Sequence, residues 1–149
     1  MGVEKGISTD VAARIEARLV GHHLIEVERS EFDWLFRFAN NVGLRVACPW
    51  RIVVDGKIAH GDCDHAQQFG LPQPINGTER SNNLLRNKTI QSVVVRDDVG
   101  DLTIAFSDLT MLEILNTSSG YEGWQLADGT GWNVVAMGGG QLAIWATRS

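Results

Sequence analysis

Residues 33–46, DWLFRFANNVGLRV, return 68 positions later as DLTIAFSDLTMLEI at residues 101–114. Asp33 falls on Asp101, Phe38 on Phe106 and Leu44 on Leu112, while Trp34, Phe36 and Val46 meet Leu102, Ile104 and Ile114. Both stretches alternate apolar and polar residues on either side of a short polar turn, the pattern of a β-hairpin with one buried face. A second appearance at constant offset points to an internal duplication. It governs architecture and carries no chemistry of its own.

The flanking segments extend the match. Ser8–Leu19 reads as a helix: Ser8, Thr9 or Asp10 offers a capping oxygen to the unpaired first-turn amides. Val11, Ile15 and Leu19 recur every fourth residue as one apolar stripe. Gly21 ends this helix in left-handed backbone. Residues 76–86 give a shorter helix with Leu84 and Leu85 apolar, and Asn87 stands 66 positions after Gly21. Asparagine tolerates the left-handed cap better than other residues with a side chain. Leu85, Ile90 and Val93 fall at that same shift on Leu19, Leu24 and Val27, so strands at 23–28 and 89–96 correspond.

Residues 51–60 set apolar runs around Asp55-Gly56, a pair suited to a tight turn at positive φ. Trp124-Gln-Leu before Asp128-Gly129 repeats that arrangement. Residues 132–137 and 142–146 read as closing strands joined by Gly138-Gly139-Gly140. The expected fold is α+β, a predominantly antiparallel sheet built from two helix-plus-strands halves, about 8–60 and 76–146, in a pseudo-twofold arrangement. No linker separates the halves, so residues 1–149 are expected to form one domain around one core.

Charge excludes one class of partner. The chain carries a formal net charge of −5 and no cluster of lysine or arginine, whereas binding nucleic acid needs concentrated positive charge. No run approaches a membrane span, and residues 1–19 have no apolar stretch of the kind a secretory signal needs. A cytoplasmic protein is expected. Cys48 and Cys63 are too few for a disulfide framework. Without a secretion signal, the three Asn-X-Ser/Thr matches at Asn76, Asn87 and Asn116 carry little weight.

Reactive side chains gather at His60-Gly-Asp62-Cys63-Asp64-His65. Were this stretch extended, His60, Asp62 and Asp64 would share a face. His60, Asp62 and His65 are then the metal-ligand candidates, although zinc sites usually close a tetrahedron from separated segments. The alternative is a polar loop in which Asp64 caps a short turn over residues 65–69, with Asp64 and His65 available to a ligand. A Cys63–His65 nucleophile is disfavoured, since such pairs normally join residues distant in sequence. Cys48 reads as a small buried hydrophobe.

Residues 118–124, SSGYEGW, are the most distinctive segment. Tyr121 and Trp124 offer wide, rigid contact area with a polar tip, and Gly120 and Gly123 would let the backbone present Tyr121 and Glu122. Trp124 has a second reading as a core residue, the counterpart of Trp50. Gly138-Gly139-Gly140 opens no helix and precedes no lysine, so a turn or a close backbone approach explains it better than a phosphate loop. No hydrolase, zinc-protease or dinucleotide-binding signature is present, and no catalytic residue is assigned.

The motifs CPWRI (48–52), FGLP (69–72) and SSGYEGW (118–124) resemble those of an uncharacterised family of small bacterial α+β proteins. The resemblance covers most of the chain and implies no activity, so no site residue follows from it. By analogy of size, acidity and class, an immunity-type inhibitor that blocks a toxin is one expectation. The reading favoured from sequence is a non-enzymatic binding or protein-interaction module with no cofactor, engaging an unknown protein or small molecule through Tyr121, Glu122, Trp124, Asp64 and His65. A small enzyme or metal-binding protein using residues 60–65 is the first alternative. A homo-oligomeric subunit is the second.

Overall fold

The computed structural model describes residues 2–4 and 8–146, with side chains from residue 10 onward. In chain order its elements are β1 (Gly2–Glu4), α1 (Ser8–Leu19), β2 (Leu24–Arg29), β3 (Trp34–Phe38), β4 (Gly43–Val46), β5 (Trp50–Val54) and β6 (Lys57–Gly61). There follow a 3-10 turn (Asp62–Asp64), α2 (Gly77–Leu85), β7 (Ile90–Arg96), β8 (Asp101–Phe106), β9 (Thr110–Ile114), β10 (Trp124–Ala127), β11 (Asn133–Ala136) and β12 (Leu142–Ala146).

Helix α1 turns Val11, Ile15 and Leu19 into the core, as the stripe requires. Asp10 is not its cap. It lies inside the first turn, where a negative charge suits the helix dipole, and pairs with Arg14 at 3.2 Å. The side chains of Ser8 and Thr9, the other capping candidates, lie outside the described residues. Helix α2 is capped as its sequence asks: the Asn76 side chain accepts from the Glu79 amide at 3.1 Å. Gly21 and Asn87, after the two helices, both adopt left-handed backbone, with φ of +88° and +68°.

The strands make two antiparallel sheets rather than the single sheet expected. One has the order β12-β11-β10-β4-β3-β2, with β1 added beside β12; the other runs β6-β5-β9-β8-β7. The division arises because the chain changes sheet twice. β4 and β5 follow one another in sequence but lie in different sheets, as do β9 and β10. Accordingly β5 pairs with β9, Trp50 opposite Ile114, and β10 pairs with β4, Trp124 opposite Val46. Pro49, which has no amide hydrogen, sits at the first crossing.

Pairing within the two sheets runs in the same register. Leu24 faces Phe38 and Ile90 faces Phe106, and each pair is followed by a bulge, after which Glu26 meets Arg37 and Ser92 meets Ala105. Where the sheets meet, the Leu24 amide donates to the Lys88 carbonyl at 3.0 Å and the Ile90 amide to that of His22 at 2.9 Å. Gly21 donates to Ile90 and Asn87 to Leu24, both at 2.9 Å. Helix α1 packs on β7 and α2 on β2. One continuous set of buried side chains joins both sheets, with Phe38 and Phe106 stacked 6.4 Å apart and Trp50 edge-on to Phe36 at 5.1 Å. Among the described residues, no helix is long and apolar enough to cross a membrane.

Candidate functional site

A cleft opens where the chain changes sheet. The first crossing uses residues 47–49 and the second residues 115–123, three residues against nine. They are stitched by backbone hydrogen bonds, Ala47 to the Gly123 carbonyl at 2.8 Å and Leu115 to that of Pro49 at 2.9 Å. The longer crossing has chain to spare. Its excess stands away from the stitching and encloses about 610 Å³ against Cys48 and Pro49, with Asn116, Ser118, Tyr121 and Glu122 on the opposite wall.

The loop that makes this wall is held in place. The Ser118 hydroxyl accepts from the amides of Gly120 (3.1 Å) and Tyr121 (2.9 Å), while its carbonyl accepts from Gly139 at 2.8 Å. A Cβ on Gly138 would stand 2.6 Å from the Gly120 Cα, so the triple-glycine turn exists to let two backbones touch. Asn116 fastens the base. Its amide donates to Asp101 at 2.9 Å and its side-chain nitrogen to the carbonyls of Val99 (3.1 Å) and Met137 (3.2 Å). Its Oδ1 is buried with no hydrogen-bond partner among the described residues.

Tyr121 is 82% exposed at the rim, and Glu122 is exposed beside it. Glu122 also borders a shallower hollow with Asp33, Arg45 and Gln125, in which Arg45 pairs with Asp33 at 3.0 Å and the Ser30 hydroxyl donates to the same carboxylate. Trp124, grouped with Tyr121 and Glu122 from sequence, is a core residue instead. It is 2% exposed and its indole donates to the Gly100 carbonyl at 2.7 Å. Burial pushes the Cys48 thiol up to about 12, Asp101 and Asp62 adding to it, so the cleft holds no thiolate near neutral pH.

The 60–65 segment does not join this cleft and does not stay extended. After β6 the chain winds into the 3-10 turn, which ends the alternation that would have set His60, Asp62 and Asp64 on one face. His60 is fully buried against Trp50, with ring centroids 5.7 Å apart, and burial lowers its pKa. Neither of its nitrogens has a hydrogen-bond partner among the described residues. Asp62 accepts from the Trp50 amide at 3.4 Å. Asp64 accepts from the Gly61 amide at 2.9 Å, and so caps the turn behind it rather than one over residues 65–69. The His65 Nδ1 accepts from the Gly77 amide at 2.9 Å, at the start of α2, and its ring lies edge-on to Trp34 at 5.7 Å. Burial, with Arg29 nearby, lowers its pKa.

Of the metal candidates, His60 is thus turned to the Trp50 ring, Asp62 to the Trp50 amide and His65 to Gly77 and Trp34. Among the described residues no group of three His, Cys, Asp or Glu could hold a metal ion. Asp64 and His65, the remaining ligand candidates, support backbone. Sequence reasoning gave no role to Asn116, noted as one of three Asn-X-Ser/Thr matches, or to Ser118, although it lies in the distinctive 118–124 segment, because both roles depend on which segments the crossings bring together.

A family model described as Family of unknown function (DUF6188) matches residues 15–146. No curated protein and no solved structure matches the chain.

Proposed function

The chain belongs to that family, DUF6188, whose description assigns no chemistry, and we propose from the cleft that it is a non-enzymatic binding module of a duplicated, pseudo-twofold fold. The duplication is supported by the shared registers and bulges, and by hydrogen bonds that exchange under one renumbering: Leu24 to Lys88 becomes Ile90 to His22. On this reading each half lends strands to the other, β5 and β6 in one direction and β10, β11 and β12 in the other, and the ligand site lies where the halves differ most, at the unequal crossings.

The observation that carries the function is an exposed tyrosine on a fixed loop at the rim of a cleft. An aromatic ring left 82% in water offers contact area without the entropy of ordering a mobile segment. Glu122 beside it and the acidic chain suit a basic partner protein, of the kind an immunity-type inhibitor would meet, and association should slow as salt rises. Both cysteines are free, which suits a reducing compartment such as the cytoplasm. The alternative at residues 60–65 has less support, since those polar groups are turned to their own backbone or the core.

The test is capture of partners from the source cell with the wild type and with Tyr121→Ala/Glu122→Ala. Both residues are exposed, so the double variant should keep its Tm while binding weakens about tenfold or more. A wild-type chain that retains no specific partner, protein or small molecule, would remove the reading.

A further inference from the structure

We propose that the outer face of the five-stranded sheet is a self-association surface, occupied by a second copy of this chain about a twofold axis. The proposal is independent of the Tyr121 cleft and rests on a comparison between the two sheets. Reading across the first sheet by its pairing, one outer row is Glu26, Arg37, Gly43, Ala127 and Asn133. The row in the same place on the second is Ser92, Ala105, Met111, Val53 and Ile58. One is laced by ion pairs, Arg37 reaching Glu28 at 2.9 Å and Glu26 at 3.6 Å, and is a face built for water. The other is almost wholly apolar, and Ile58 on it is 62% exposed and Val94 in the next row 61%.

The turns give a second contrast. Asn40 and Asn41 join β3 to β4 with φ of +63° and +65°, a conformation asparagine accepts. Asp108 and Leu109 join β8 to β9 with φ of +60° and +54°. A leucine in left-handed backbone is strained, and this one is also 72% exposed. In the isolated chain most of its apolar surface stays in water. It stands beside a hollow of about 320 Å³ that it lines together with Val53, Ala105 and Met111, with Asp55 at its edge.

A projecting side chain next to a hollow is self-complementary about a twofold, each copy supplying one of each. Charge points the same way. With a net charge of −5, copies repel unless they meet through a neutral surface, and here the two central charges, Arg51 and Glu113, cancel as a pair at 3.2 Å. A strongly charged foreign partner would find little to match there beyond Asp55, at the turn end of the hollow. Five strands about 4.8 Å apart, each about five residues at ~3.4 Å, span roughly 24 by 17 Å, so a pair buries on the order of 800 Å². That is small for a stable complex, and the dimer should be weak, with a dissociation constant on the order of 10–100 µM.

Sedimentation velocity from about 1 to 500 µM on the full chain tests this. The wild type should show a reversible monomer–dimer equilibrium. Leu109→Asn, which installs the residue the other turn uses, and Ile58→Lys should each raise the dissociation constant at least tenfold, while Tyr121→Ala leaves it unchanged. Leu109→Asn should also keep or raise the Tm at low concentration, which separates lost association from lost folding. A wild type that stays monomeric throughout would overturn the proposal. So would a dimer indifferent to both face variants, or one dispersed by Tyr121→Ala.

Discussion

His60 shows how one buried side chain couples this fold to pH. Its imidazole is fully buried on Trp50, and the charged or titratable groups around it are Asp64, Arg80, His65 and Asp62. Burial holds its pKa below that of an exposed histidine. Between the folded and unfolded values the unfolded chain binds the extra proton, so stability is complete above about pH 6.5 and declines as pH falls toward the folded pKa. One proton limits that slope to about 1.4 kcal/mol per pH unit. His60→Leu should flatten the decline of Tm between pH 7 and pH 5 and cost little at pH 7, because it removes two nitrogens that have no hydrogen-bond partner among the described residues, the Asp64 carboxylate standing 4.0 Å from Nδ1. An unchanged slope would mean that other groups carry the dependence. The thiols give a second residue-scale expectation. Cys48 is held near 12 by burial, whereas Cys63 is exposed and raised chiefly by Asp62. Iodoacetamide at pH 8, followed by peptide mass spectrometry, should label Cys63 well ahead of Cys48, and Asp62→Asn should speed Cys63 chiefly, since burial remains the largest cause at Cys48. The sequence showed a row of reactive letters at 60–65 but not the inward turn of His60, which depends on Ile52 pairing opposite it and Trp50 closing over it.

Local signals define most elements, since their causes lie within a few residues. Val11, Ile15 and Leu19 place α1, Asp55-Gly56 places the β5–β6 turn at φ of +48° and +76°, and Asn87 ends α2 as Gly21 ends α1. What they do not reveal is which strands pair, because alternation marks a strand without naming its neighbour. Helix α2 shows the difference. Asn82 is buried and clamps the edge of β2, its Oδ1 accepting from the Val27 amide at 2.7 Å and its Nδ2 donating to the Val27 carbonyl at 2.9 Å. The side-chain amide takes the place of a neighbouring strand on an edge that main chain covers only at Leu24, through Asn87 and Lys88. Asn82→Ala leaves both backbone groups unpaired in a dry environment and should cost about 2–4 kcal/mol in urea denaturation; a loss under about 0.5 kcal/mol would mean that water reaches the edge. The β11–β12 turn works on the cleft in a comparable way. Since Gly138 touches Gly120, Gly138→Ala should displace the loop that presents Tyr121 and, on the proposed function, weaken binding at the cleft without altering any contacting side chain.

The strand exchange makes a prediction that belongs to the molecule as a whole. β5 and β6 extend the sheet of β9, β8 and β7, while β10, β11 and β12 extend that of β4, β3 and β2. Neither half by itself contains the strand its own hairpin pairs with, and each helix covers the sheet of the opposite half. Residues 66–74 join the halves through an exposed loop with Phe69 68% in water, so a break there removes little packing. Fragments ending and beginning at about residue 70 should each be unfolded alone, lacking a neighbour for an inner strand and a partner for half the core. Mixed in equal amounts they should regain the β spectrum of the intact chain and melt in one transition that sharpens with concentration, since folding has become association. Circular dichroism of the two fragments, apart and together, reads this directly. A fragment that folds on its own would mean that each half is self-sufficient, and the cleft would then lie between two independent units rather than at the place where one chain twice changes sheet.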